Sequence, residues 1–432
     1  MIQLGIVRIG ILGGLLLAFL LLQVPETLAE TAAQLQTKIN TSNQEIATLE
    51  KEIAEYQTKL NTTYEEGQTL KSAIAGLYLT QKKLQSSINL TQKKIDTTTL
   101  EITSLGGQIV DKESRIRNQK AALEESLREL QESDDISLIE SLLIYKRLAD
   151  LWNNVATIGS LQSGIKTHVA DLTDLKENLT EAKTESEKKK KELVGYQRQL
   201  VDQKKIVQIN KAEKDKLLKQ TKNLEANYRS LLAEKEAKRD AFETELFNYE
   251  SALKLIFDPG SIPSPGKGML RWPLDQVYVT QRFGVTSFSL THPQVYNGHG
   301  HSGIDLRASE GTPVKAALAG IVEGVGNTDI ACPDASYGEW VLIRHDNGLT
   351  TLYPHLSLIR VVEGQSVGTG NVIGYSGSTG YATGPHLHFA VFASQGVHVS
   401  KPGEFRSKTC GTFLKLPIAG DPKAYLNPLS YL

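Results

Sequence analysis

Two histidine motifs near the C-terminal end of the chain carry side chains suited to metal binding and proton transfer. The first is His-Ser-Gly-Ile-Asp at residues 301–305, and the second is Pro-His-Leu-His-Phe at residues 385–389. Together they offer three ligands for one divalent metal. A catalytic zinc site has three protein ligands and an open position for water, whereas a structural site is closed by four. His355 and His386 remain for proton transfer, so these residue types predict hydrolysis by a metal-activated water.

The spacing within each motif indicates how the side chains could converge. Alternate residues of a strand share a face, so His386 and His388 would point into one groove while the residues between them pack on the core. Glycines around His301 and Asp305 predict a flexible approach loop that could turn both side chains toward one point. A His-x-His pair alone would equally fit an exposed sheet face. His355, which closes a predicted strand, adds a third element to the constellation.

The elements that must position these residues form a β domain. Short β-branched and aromatic runs alternate with turn residues, which predicts a compact, mostly antiparallel sheet over residues 270–432. The predicted strands are Val277–Thr280, Val314–Leu318, Ile321–Val325, Trp340–Arg344, Leu349–Tyr353, Val372–Tyr375 and His386–Phe392. A Pro/Gly linker at residues 258–269 precedes this domain. The glycine-rich stretch 374–384 lacks the Gly-Lys-Ser/Thr ending of a phosphate loop and is interpreted as turn geometry.

Residues 32–257 follow another pattern, with apolar residues at steps of three and four. One heptad seam begins at Leu35 and a second near Leu161, and we place His168 on the second seam as a tolerated semi-polar residue. Heptads sustained over this length predict supercoiled helices. Two arms of similar length favour a long antiparallel coiled-coil hairpin with its tip near residues 134–159; a parallel homodimer is the competing arrangement. The apolar patch at the tip fits a packed cap or a partner-docking surface equally well.

The N-terminal segment, the net charge and the two cysteines indicate the compartment and the partners of the protein. Residues 1–29 resemble a secretory signal, with cleavage after Ala29 and an uncleaved signal anchor as the alternative. The chain is therefore expected to be exported to the cell envelope. A net charge of −1 argues against nucleic acid as a partner. Cys332 and Cys410 are the two cysteines of the sequence, and in an exported protein they predict one disulfide, with thiolate metal ligands as the weaker reading.

Residues 271–432 resemble the lysostaphin-type, LytM-like zinc metalloendopeptidases, which cut peptide cross-links in bacterial peptidoglycan. The resemblance runs through Trp-Pro-Leu at 272–274, Arg-Phe-Gly at 282–284, both histidine motifs, and Tyr-Pro-His-Leu-Ser at 353–357. It implies one Zn²⁺ per domain, held by His301, Asp305 and His388. It also implies His355 and His386 as the catalytic pair, and peptidoglycan stem peptides as the substrate.

Two features depart from that family pattern. Ala390 stands where an acidic residue usually follows His-Leu-His-Phe, which would alter support for a ligand. Insertions at residues 327–336 and 394–420 each contain one cysteine, so a disulfide would tie these two loops together at a groove edge.

The whole layout is similar to the EnvC type of division-associated murein hydrolase factors. That similarity implies an alternative function, a non-enzymatic activator of murein amidases, and a membrane division complex resembling FtsEX as a partner for the coiled-coil tip. All five site positions are present here, which favours an active zinc endopeptidase. The resulting fold class is α+β and multidomain, with the coiled coil as a regulatory or recruitment arm that could fold back over the groove.

Overall fold

The computed structural model describes residues 32–65, 69–134, 147–253, 263–285, 300–382 and 384–432. The predicted signal at 1–29, residues 135–146 of the predicted tip and residues 258–262 of the linker lie outside this part of the chain. The predicted fold class is confirmed: long helices precede a domain built on an antiparallel sheet.

Four long helices make up the N-terminal part of the described chain. They are α1 (Ala32–Glu65), α2 (Leu70–Asp134), α3 (Leu148–Thr221) and α4 (Glu225–Leu253). Within the described ranges, no helix combines the length and apolar character needed to cross a membrane.

Helices α2 and α3 run antiparallel in the first compact unit, whose residues lie within 1–45 and 94–194. Ile116 packs with Leu172 and Leu175, and Lys189 lies 2.9 Å from Glu101. Residues later in α2 thus contact residues earlier in α3, so the two helices are antiparallel. This is the intramolecular hairpin predicted from the two seams. His168 is exposed, so its placement on the seam was wrong.

The second predicted arm is interrupted rather than continuous. Helix α3 ends at Thr221 and α4 begins at Glu225, with Lys222 and Asn223 between them at positive φ of 48° and 60°. Asn tolerates the left-handed conformation better than most residues, and this conformation ends a right-handed helix. The heptad rhythm passes through this break and therefore could not reveal it.

Twelve strands follow among the described residues of the second compact unit, which comprises residues 46–93 and 195–432. They are β1 (Val279–Gln281), β2 (Ile304–Arg307), β3 (Pro313–Lys315), β4 (Gly320–Asn327), β5 (Glu339–Arg344), β6 (Leu349–Ile359), β7 (Ser366–Val367), β8 (Val372–Ser376), β9 (His386–Ala393), β10 (Val397–Val399), β11 (Pro417–Ala419) and β12 (Tyr425–Leu426). The main described sheet has the order β1-β2-β9-β6-β5-β4-β7, with β8 beside β6, β3 beside β8, and β12 beside β9. Strands β10 and β11 form a separate pair.

The core explains why β9 can present two histidines on one face. Leu387, Phe389 and Val391 are buried in the main apolar cluster together with Ile304 and Leu306 of β2. Because side chains alternate along a strand, burial of these residues directs the intervening histidines to the opposite face. This is the arrangement predicted from the second motif.

A second apolar cluster joins helix α4 to the two inserted loops, residues 327–336 and 394–420. Phe242 and Leu246 of α4 are buried against Phe405, Leu414, Leu416 and Ile418. Cys332 belongs to the same cluster and forms a disulfide with Cys410, with a Cα–Cα distance of 5.5 Å. The two inserted loops are therefore covalently joined where α4 packs on them.

Candidate active site

Three predicted ligands meet at the ends of β2 and β9. Asp305 lies opposite His388 in the antiparallel pair, and its Oδ1 is 3.0 Å from His388 Nδ1. His301 Nε2 lies 3.0 Å from His388 Nδ1 and 3.3 Å from Asp305 Oδ1. One potential ligand atom from each of the three residues therefore lies within 4.8 Å of the others. Two imidazoles and a carboxylate around one point are a donor set that suits zinc.

The local backbone explains how the first motif reaches this point. Asp305 lies on strand β2, so the expectation of a flexible loop at that residue was wrong. Gly303 is required by close packing, because a Cβ there would lie 2.6 Å from His388 Nε2. His301 is held by a β-bridge to Gly284. The glycines thus permit close approach rather than flexibility.

His355 and His386 lie beside the three-ligand group, with their ring centroids 4.9 Å apart. Nδ1 of His355 is 2.8 Å from the Thr379 carbonyl oxygen, and Nδ1 of His386 is 2.9 Å from the Gly384 carbonyl oxygen. A carbonyl can only accept, so each ring carries a proton on Nδ1 in these bonds, and Nε2 is the acceptor of the neutral ring. Nε2 of His386 lies 3.8 Å from Asp305 Oδ1. Each ring can therefore accept a proton at Nε2 and deliver it again from the resulting imidazolium.

Electrostatics favour ligand-competent forms of Asp305 and His388. Burial raises the pKa of Asp305, but the charges of His301 and His386 and hydrogen bonds from His301 and His388 outweigh it and hold that pKa well below its usual range. Burial lowers the pKa of His388 despite its hydrogen bond to Asp305. An ionised carboxylate and a neutral imidazole are the forms that bind a metal.

The pKa values of His301 and His355 are shifted in opposite directions. Burial lowers the pKa of His301, but the neighbouring Asp305 carboxylate outweighs burial and raises it. Burial, followed by the nearby charges of His386 and His388, holds the pKa of His355 well below its ordinary value. His355 is thus a neutral base at neutral pH.

Residues 299–401 match the family model described as peptidase family M23. This region is an M23 peptidase domain. The chain is 42% identical over 117 residues to the DD-carboxypeptidase/endopeptidase Mpg of Neisseria meningitidis, a match covering 27% of this chain and 25% of that protein. The chain is 38% identical over 132 residues to the peptidoglycan DD-endopeptidase ShyC of Vibrio cholerae, a match covering 31% of this chain and 28% of that protein. These matches thus span about a quarter of the relatives' length.

Among solved structures, the catalytic domain of lysostaphin from Staphylococcus simulans aligns with 26% identity. That alignment covers 35% of this chain and 90% of the lysostaphin domain, with a TM-score of 0.25.

Other histidines of the M23 domain have different surroundings. His345 is buried, with Nδ1 3.0 Å from the Ala319 carbonyl and Nε2 2.8 Å from Thr351 Oγ1, and burial lowers its pKa. His398 pairs with Glu404 at 2.7 Å. His292 and His299 lie outside the described residues. Ala390 is buried in an apolar cluster with Trp340 and Leu352, where an acidic side chain would lack water.

Sequence reasoning missed the residues that helix α4 contributes to the site. Glu243 and Arg239 line the same cavity, of about 1020 Å³, as the histidines. Burial raises the pKa of Glu243 to about 8, although Arg239 and His301 oppose the shift. One Glu243 oxygen has no hydrogen-bond partner among the described residues. Both residues belong to a charge-rich helical stretch that looks like a solvated surface, so no signal in the sequence singled them out.

Proposed function

We propose that the protein is a secreted, zinc-dependent endopeptidase that hydrolyses peptide cross-links of bacterial peptidoglycan. The observation that carries this proposal is the complete set of five polar residues: three residues with potential ligand atoms within 4.8 Å of one another, and beside them two imidazoles held through Nδ1 by backbone carbonyls. The Vibrio cholerae relative, named a peptidoglycan DD-endopeptidase, supports the substrate class.

His301, Asp305 and His388 would hold the zinc ion. Zinc bound by three protein ligands supplies a Lewis acid that activates water and polarises the scissile carbonyl. The ligand atoms would be Nε2 of His301, Oδ1 of Asp305 and Nδ1 of His388. The contact between His301 Nδ1 and the Arg282 carbonyl, at 3.2 Å, fixes the tautomer that directs Nε2 to the centre.

His355 and His386 would carry the protons of the reaction. His355 is neutral, and its Nε2 can accept a proton from the attacking water. His386 is more exposed, with 21% of its side chain accessible. Once its Nε2 has also taken up a proton, the imidazolium can donate from that atom to the leaving amine or to the developing oxyanion. Carbonyl contacts to Thr379 and Gly384 keep both rings in the required tautomer.

Helix α4 would act as a regulatory arm. It lies over the catalytic cavity, and Arg239 places its guanidinium 4.1 Å from the centre of the Tyr381 ring and donates to the Tyr381 hydroxyl at 2.5 Å. Glu245 accepts hydrogen bonds from Ser407 and Thr409 of the second inserted loop. An extended peptide substrate would have to enter this cavity. The docked position of α4 therefore supports an enzyme that is inhibited until the arm moves away.

The cellular setting is part of the same proposal. A hydrolase of cross-links acts in the cell envelope during division or wall remodelling, and a restraining arm fits control by a membrane division complex resembling FtsEX through the coiled-coil tip. The expectation that the tip binds such a complex falls partly on residues 135–146, which lie outside the described residues.

The proposal is tested by chelation. Full-length protein carrying Glu245→Ala to loosen the arm is incubated with purified peptidoglycan, stripped of metal, and reloaded with zinc. We expect hydrolysis that is lost on stripping and restored by zinc. Hydrolysis that survives stripping would contradict zinc dependence. Failure to hydrolyse with zinc bound, together with stimulation of an amidase, would instead support the activator function.

A further inference from the structure

His355 has a backbone conformation that its surroundings must hold. Its φ is 59°, a left-handed value that costs a non-glycine residue about 1–3 kcal/mol. The His355 amide donates to the Tyr337 carbonyl at 2.8 Å, and the ring donates from Nδ1 to the Thr379 carbonyl at 2.8 Å. The direction of Nε2 therefore depends on where the Thr379 carbonyl is held.

That carbonyl belongs to a peptide group with a second partner. The N–H of the same peptide group, that of Gly380, donates to Oδ2 of Asp329 at 2.7 Å. The other carboxylate oxygen of Asp329 accepts from the Asp334 amide at 3.0 Å, and the Asp329 amide donates to Asn327 Oδ1 at 2.9 Å. One peptide plane thus connects the ring of His355 to a fixed carboxylate in the first inserted loop.

The turn that contains this peptide group is packed tightly against the same loop. Gly380 has φ of 64°, and a Cβ there would lie 2.1 Å from the Ser336 carbonyl oxygen and 2.3 Å from the Gly338 nitrogen. The Tyr381 amide donates to the Ser336 carbonyl at 2.8 Å. The inserted loop and the turn are therefore held together by close packing and a backbone hydrogen bond.

The chemistry of the connection favours the catalytic tautomer of His355. A hydrogen bond to a carboxylate is charge-assisted and stronger than a neutral one. Hydrogen bonds at the two ends of a peptide group polarise each other, so the Thr379 carbonyl becomes a better acceptor for Nδ1–H. Histidines at metal centres are commonly oriented by a carbonyl or a carboxylate. Here the Thr379 carbonyl contacts the ring of His355, and the Asp329 carboxylate binds the other end of the same peptide group.

We propose that Asp329 is a positioning residue for His355 and acts through the Thr379–Gly380 peptide group. This inference rests on the proposed function, since it assigns a supporting role in that reaction. The proton transfer itself is assigned to His355.

The test uses the full-length, zinc-loaded chain in the Glu245→Ala background. Asp329→Ala removes both acceptors, and Asp329→Asn keeps one while removing the charge. The control is Ile330→Ala, which changes the neighbouring residue of the same loop, where the side chain is 84% exposed and does not line the catalytic cavity. For each variant we would measure kcat, KM and zinc affinity, and ¹⁵N-histidine NMR spectra would report the His355 tautomer.

We expect Asp329→Ala to lower kcat about 10–100-fold, the range seen for orienting partners of this kind, with KM and zinc affinity within about twofold. The kcat of Asp329→Asn should fall between those of the parent and the alanine variant, Ile330→Ala should match the parent, and the His355 Nδ1–H signal should shift in both Asp329 variants. A kcat of Asp329→Ala within twofold of the parent, or an equal loss in Ile330→Ala, would overturn the proposal. If the alanine variant does not fold, Asp329→Asn decides the question.

The NMR measurement separates this inference from the proposed function. An inactive parent protein would contradict the proposed hydrolysis while leaving the His355 signal available. An unchanged His355 signal in both Asp329 variants would contradict the positioning role whatever the activity.

Discussion

The Asp305 carboxylate lies 3.0 Å from Nδ1 of His388, although 83 residues separate the two in sequence. Their strands pair antiparallel with these residues opposite each other. The register of a single strand pair therefore builds two-thirds of the proposed zinc site, and His301 completes it from the preceding turn. Because the sheet fixes the geometry, the site depends on the core beneath it.

Removing a ligand should separate zinc binding from folding. We expect His388→Ala to weaken zinc binding by more than about 100-fold, because a ligand matters at least as much as its orienting partners. Peptidoglycan hydrolysis should disappear with the metal. His398→Ala is the control, since His398 pairs with Glu404 away from the centre. Calorimetric zinc titration measures the effect, and full zinc occupancy in His388→Ala would rule out the ligand assignment.

Removing a proton-transfer residue should leave the metal in place. We expect His355→Ala to bind zinc as the parent does while kcat falls about 10²–10⁴-fold, the usual contribution of a positioned acid or base. Steady-state kinetics with metal analysis of the same samples provides the measurement. A loss of zinc equal to that of His388→Ala would assign His355 to the ligand set instead.

Weakening the arm should raise activity. The Glu245 carboxylate accepts four hydrogen bonds, from Ser407 Oγ, Lys408 N, Thr409 N and Thr409 Oγ1. Glu245→Ala leaves these donors to water and should cost the docked state about 1–3 kcal/mol, which corresponds to roughly a 5–150-fold increase in the ratio of open to docked protein. Asn248→Ala on the exposed side of the same helix is the matched control. Lower activity in Glu245→Ala would show that the arm assists rather than restrains.

Breaking the disulfide should loosen the surface on which the arm packs. Cys332 and Cys410 are 78 residues apart, and closing a loop of that length stabilises a fold by about 4 kcal/mol in the chain-entropy model. We expect the double serine variant to melt at a lower temperature and to hydrolyse faster than the parent at 25 °C. Calorimetry and the peptidoglycan assay test both parts. Unchanged activity with a lowered melting temperature would show that the disulfide stabilises the fold but does not restrain the enzyme.

The buried carboxyl group of Glu310 should make stability depend on pH. Burial, followed by the charge of Glu213, raises its pKa to about 8, against the hydrogen bond from Asn210. The unfolded chain ionises near the ordinary value of 4.5, so the folded state holds the extra proton and loses stability as pH rises from about 4.5 to 8. Glu310→Gln lacks this penalty, so its melting temperature should exceed that of the parent at pH 8.5 but not at pH 4. A constant difference across this range would contradict the shift.

Much of the fold could be predicted from sequence because its signals are local. Alternation along residues 386–392 predicted a strand that presents His386 and His388 on one face, and the heptads predicted the antiparallel helices. The strand at Ile304–Arg307 was missed because the glycines that precede it suggested a loop. Its strand conformation comes from pairing with β9, which is distant in sequence.

The contribution of helix α4 to the site could not be read from residue types. Glu243 and Arg239 have the charge of a solvated helix face, but α4 packs on the inserted loops through Phe242, and both charged residues line the cavity. The role proposed for Asp329 is equally hidden, because it depends on a hydrogen bond to a backbone amide 51 residues away. Tertiary contacts of this kind leave no periodic pattern.

The most direct test of the account is a digest of purified peptidoglycan by full-length, zinc-loaded protein carrying Glu245→Ala, analysed by mass spectrometry. His388→Ala in the same background is the control. We predict conversion of cross-linked muropeptides to monomers, with the new termini distinguishing D-alanyl from glycyl cleavage, and no conversion by the control. Intact cross-links after digestion by the zinc-bound, arm-loosened protein would contradict the endopeptidase assignment.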